Sequence, residues 1–134
     1  MLMNYFDKVK SYLIELGYDI TFEDSGEGIF RISKNSNGIN DMILDCEGEI
    51  LIMEQHIFDL NSDDPAIYKR LLQINREIVH GAFVLTNPQN KILFRDTLQL
   101  ANLDINELEG SLNSLTLTLI ENVDEILSWS TANA

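Results

Sequence analysis

The 134-residue chain is 45% hydrophobic and carries 22 acidic against 9 basic residues, a formal net charge of −13. At this length one globular domain buries about two-thirds of its unfolded chain's surface, so it needs neither disulfide nor metal to fold. The acidic balance argues against nucleic-acid backbones and anionic membrane surfaces as partners, and it favours solubility or a basic partner.

Cys46 is the single cysteine, so no intrachain disulfide can form, which fits a reducing cytoplasm. The opening MLMNYFDKVK lacks a long apolar run followed by a small-residue cleavage site, so no signal peptide is read. No apolar run approaches the ~20 residues that span a bilayer. One domain over 1–134 is expected, with 130–134 as a frayed tail.

Residues 2–16 predict an amphipathic helix, with Leu2, Tyr5, Phe6, Val9, Tyr12, Leu13 and Leu16 at helical spacing and Gly17 as its C-terminal stop. Residues 18–24 alternate as a strand, with Tyr18, Ile20 and Phe22 on one face. A Gly-containing turn leads into a second strand over 29–34, with Phe30 and Ile32 on one face. A third strand is expected at about 40–46. The turn Glu47-Gly48-Glu49 then joins it to a fourth, from Ile50 to about Phe58. Ile50 to Met53 is apolar on both faces, so something must cover each of them.

Asp63 or Asp64 can cap a helix that begins at Pro65 and runs to about Val79. Its core stripe is Ile67, Leu71, Ile74 and Ile78, widened by Tyr68, Leu72 and Val79, and Gly81 ends it. Residues 82–86 and 91–98 flank Asn87-Pro88-Gln89-Asn90 and read as a hairpin. A last helix starts at Asp104, with Glu107 completing a capping box, and extends to about Trp129. Ile105, Leu108, Leu112, Leu115, Leu119 and Ile126 mark its seam. The order α-β-β-β-β-α-β-β-α defines an α+β domain, an antiparallel sheet with helices packed on it.

No motif spells out a reaction. Cys46 lies between Asp45 and Glu47, which disfavour a thiolate, so it reads as a structural cysteine. His56 and His80 are the only histidines, and no HExxH or CxxC pattern accompanies them. Glu54 and His56 share one strand face, which suits either two metal ligands or an exposed strand pair. Asp59, Asp63 and Asp64 crowd one loop without the calcium-loop pattern, and helix capping accounts for them. What remains is apolar surface. Ile50, Ile52, Phe83, Leu85, Ile92 and Phe94 are the expected partner or dimer surface, because strands apolar on both faces exceed what helices on one side can cover.

The element order, ILDCEGEILIMEQHI at 43–57 and DPAIYKRLLQINREIVHGAFVL at 64–85 resemble the YbjN-like family, which shares the fold of type III secretion (Tir) chaperones. That resemblance implies a secretion-chaperone-like fold and a small acidic homodimer that binds another polypeptide through apolar patches on the sheet and first helix. It carries no catalytic motif, cofactor or metal onto this chain. The expected function is a non-enzymatic, cytoplasmic, chaperone-like homodimer. A structural or regulatory homodimer without a client is one alternative, and a small hydrolase or metal protein using His56 is another.

Overall fold

The computed structural model describes residues 4–131. Helix α1, Tyr5–Glu15, begins where the Asn4 side chain accepts a hydrogen bond from the Asp7 N–H at 2.8 Å. Phe6, Val9 and Leu13 form its buried stripe. Leu2, expected to extend that stripe, lies outside the described residues. Gly17, at φ +82°, turns the chain out of the helix. Lys34 Nζ donates to the Leu16 carbonyl at 3.1 Å and closes the helix end.

Six strands form one sheet in the order β1-β2-β3-β4-β6-β5, antiparallel throughout. They are β1 Asp19–Asp24, β2 Ile29–Lys34, β3 Ile39–Glu47, β4 Ile50–Asp59, β5 Ala82–Leu85 and β6 Lys91–Gln99. The β3–β4 hairpin occupies the centre. Glu47 pairs with Ile50, leaving a two-residue loop in which Gly48 adopts φ +60°, the geometry that a tight hairpin requires.

Three register shifts interrupt the pairing, one of them between Ile32 and Lys34 at the start of β3, and the other two decide the settings of Phe22 and Phe58. The β1–β2 register shifts between Ile20 and Phe22, which puts Phe22 opposite Arg31 on the outer face. Phe22 is therefore 47% exposed, and it does not share the face of Tyr18 and Ile20 as simple alternation predicts. The β4–β6 register shifts between His56 and Phe58 and turns Phe58 inward, 3% exposed.

Helix α2, Pro65–Glu77, is capped by Asp64, whose carboxylate accepts from the Ala66 N–H. It buries Ile67, Leu71 and Ile74 only. Leu72, expected to widen the stripe, is exposed, because the helix lies along the sheet's edge and one narrow side of it reaches the core. The helix ends at Glu77 instead of about Val79, so Ile78 and the exposed Val79 lie beyond it. The expected last helix is two. α3, Ile105–Glu121, opens with the Asp104–Glu107 capping box, and α4 spans Val123–Thr131. Asn122 breaks the run at φ −123°, ψ 19°, with its side-chain amide donating to the Thr118 carbonyl at 2.9 Å. The break lets Trp129 reach Phe58, ring centres 6.0 Å apart, and brings Glu125 to Arg70 of α2 in a two-pronged ion pair. Ser130 and Thr131 continue α4, and the rest of the expected frayed tail lies outside the described residues.

All four helices lie on one side of the sheet. Phe6 stacks on Phe30 at 4.2 Å, Ser111 of α3 reaches Met53 and Asp96, and α2 packs beside β5. Alternation then assigns each strand an inner face (Phe30, Ile32, Met42, Leu44, Leu51, Met53, Phe94) and an outer face that no helix covers. No described helix is long and apolar enough to cross a membrane.

Candidate partner-binding surface

The outer face reads row by row from the pairing. One row runs Asp24, Ile29, Asp45, Ile52, Thr97, and the next runs Phe22, Arg31, Ile43, Glu54, Arg95, Ala82. Ile50 lies above the first row and Leu93 and Val84 below the second. Phe22, Ile43 and Ile50 are 39–47% exposed, and Ile29, Ile52, Val84 and Leu93 are partly buried against their neighbours. The charges among them are mostly engaged. Arg95 pairs with Glu54 at 3.3 Å, while Arg31 donates to Thr21 and covers the Phe22 ring.

The six residues expected to form a partner surface separate into three settings. Ile50 and Ile52 lie on the open face. Phe83, Ile92 and Phe94 point the other way and are 2–6% exposed, with Phe83 and Phe94 meeting edge to face at 5.9 Å. They belong to the chain's own core, because α2 and α3 cover that side of the β5–β6 hairpin. Leu85 has the inner orientation but lies past the end of the core, 47% exposed. It lines a groove of about 170 Å³ with Tyr68 and Leu72 of α2. A second groove, about 300 Å³, runs between α2 and α3 and includes Val79, His80 and Leu117.

Ile43, Ile29 and Phe22 were missed as surface residues. Ile43 was readable in principle: the run Met42-Ile43-Leu44 is apolar on both faces, as Ile50 to Met53 is. Phe22 was hidden by the register shift, which leaves no mark in the alternation.

The β5 edge is closed at its centre. The Asn75 side chain accepts from the Phe83 N–H at 2.8 Å and donates to the Phe83 carbonyl at 3.2 Å. An amide from α2 thus takes the main-chain pair that an added strand would use.

The candidates for chemistry do not converge. His56 lies on the outer face with Nε2 2.8 Å from Asp59 Oδ1, both exposed. His80 lies on the helix side of the sheet, where its backbone N–H and carbonyl both bond the Ser114 hydroxyl. Among the described residues no group of three or more His, Cys, Asp or Glu side chains is placed to hold a metal ion. Burial, and then the Asp45 carboxylate, push the Cys46 thiol up to about 11, so it is not a thiolate nucleophile at neutral pH.

The CesT_Tir_1 model matches residues 2–132, and the chain belongs to this family of type III secretion chaperones and their relatives. Its fold is similar to three solved structures. YbjN from E. coli superposes with a TM-score of 0.67 at 14% identity, over 90% of this chain and 92% of that one. The HopA1–SchA chaperone–effector complex gives 0.61 at 12% identity, covering 95% and 94%. The Yersinia pestis type III secretion chaperone SycH, in complex with a stable fragment of YscM2, gives 0.54 at 16% identity, covering 95% and 100%. No curated protein matches the sequence significantly. The fold is thus that of the secretion chaperones, as the family resemblance implied.

Proposed function

We propose that this protein is a non-enzymatic, chaperone-like homodimer that receives a segment of a client polypeptide on the open face of its sheet. The observation that carries this reading is the one-sided packing of the helices. It leaves Phe22, Ile29, Ile43, Ile50 and Ile52 partly exposed on one face, interleaved with Arg31, Asp45 and Glu54, on a chain of net charge −13. Monomeric proteins rarely leave such a face without a partner. Support comes from the likeness to structures solved as chaperone complexes. A cytoplasmic location accords with the lone cysteine and the family.

Self-association is assigned to a separate surface, the rim of α2 and β5, where Leu72 is 71% exposed beside Leu85. Asn75 closes the β5 main chain there, so the contact is between side chains. The test is analytical ultracentrifugation of the wild type, Leu72→Asp and Ile52→Asp. The reading expects a dimer for the wild type and for Ile52→Asp, and a monomer for Leu72→Asp. A wild-type monomer overturns the dimer. A dimer lost only in Ile52→Asp means that the open face is the dimer contact, which favours a structural homodimer without a client.

A further inference from the structure

We infer that the open sheet face selects a client segment that carries an arginine or lysine between apolar side chains, and that Asp45 is its anchor. This inference rests on the reading of that face as a client site and specifies the client's chemistry. Asp45 Oδ1 is the one buried side-chain oxygen or nitrogen without a hydrogen-bond partner among the described residues. It sits on the central strand β3, on the outer face. Ile29 and Ile52 are paired with it in register on either side, and Ile43 lies two residues before it along the strand.

Among the described residues no cation pairs with this carboxylate. The ion pairs among the described residues are Lys10–Glu23, His56–Asp59, Arg70–Glu125 and Arg95–Glu54. Arg31, in the adjacent row, is held by Thr21 and Phe22. Asp45 is partly exposed on this face although its Oδ1 is shielded without a donor, and a guanidinium or ammonium group arriving from the open side supplies the countercharge and hydrogen bond that the carboxylate lacks. A second copy of this chain is the poorer occupant. It brings the same −13 charge, and a two-fold contact centred on this row sets two Asp45 carboxylates against each other. An extended segment presents alternate side chains on one side about 7 Å apart. Its basic residue then meets Asp45 while the apolar residues two positions away meet the isoleucines.

The test uses two short blocked peptides of alternating valine and threonine with a central arginine or a central glutamine, titrated by fluorescence anisotropy. The wild type is expected to bind the arginine peptide about tenfold more tightly, the effect of one charge-assisted hydrogen bond at this scale. Raising the salt concentration should shrink that preference. Asp45→Asn, with its fold checked by circular dichroism, should bind both peptides alike. A preference that persists in Asp45→Asn, or is absent from the wild type at low salt, overturns the anchor. If both peptides bind equally and Ile52→Asp abolishes both, the open-face reading stands and the anchor falls. If neither binds, or the face is buried between two copies, both fall.

Discussion

Gly81 marks the tightest joint in the chain. Its φ is +85°, and a Cβ built there would stand 2.6 Å from Phe94 Cε1 and 3.0 Å from the Arg95 carbonyl. Gly81→Ala is expected to cost about 3 kcal/mol in urea unfolding, from left-handed strain and overpacking together. Gly48→Ala, at φ +60° with open space around the new Cβ, should cost only about 1 kcal/mol from strain alone. Both glycines were legible as turn residues. The difference between them was not, because it depends on Phe94, which arrives from another strand. Cys46 carries the pH dependence at this scale. Its thiol titrates near 9.0 ordinarily and at about 11 in the fold. The folded state therefore keeps a proton that the unfolded chain releases, so this contribution to stability is intact below pH 9.0 and is lost as pH rises through about 11. Between those limits the wild type should lose more stability than Cys46→Ala, measured by urea titration at each pH.

Local capping was the most readable feature of the elements. The Asp104–Glu107 box is present as the spacing indicated, with the Glu107 N–H donating to Asp104 Oδ1 at 2.8 Å. Asp104→Ala should cost about 1 kcal/mol in thermal or urea unfolding. Helix interruption was less readable. The apolar seam continues past Asn122, so periodicity alone joins α3 to α4. The break is set by what Ile126 and Trp129 gain by packing near β4, a contact between segments some seventy residues apart in the chain. Likewise nothing in the sequence sets Asn75 apart from the other polar residues of α2. Its hold on Phe83 exists only because α2 lies beside the edge strand.

For the whole molecule, the decisive fact is which face the helices cover. Ile52 and Phe94 look alike in the sequence, each an apolar residue in a run that serves both faces. In the fold Phe94 is 2% exposed within the core and Ile52 lies on the open side. Phe94→Asp should fail to fold, since it buries an unpaired charge at a cost of several kcal/mol. Ile52→Asp should lose about 1 kcal/mol or less and keep the native circular dichroism spectrum. Equal damage from the two substitutions would mean that both faces are core.

The sequence by itself determined the α+β class, the element order, the central β3–β4 hairpin and the helix starts. Each of these follows from neighbours within a few residues: alternation, turn glycines and capping carboxylates. It also showed that Ile50 to Met53 must serve two environments. The tertiary structure alone decided that one of these is the core and the other an open surface. Strand parity gives two faces without saying which is which, and a one-residue register shift reverses the answer, as it does at Phe22. Only the assembled sheet, with all its helices on one side, leaves Asp45 between isoleucines with an oxygen that no described residue satisfies.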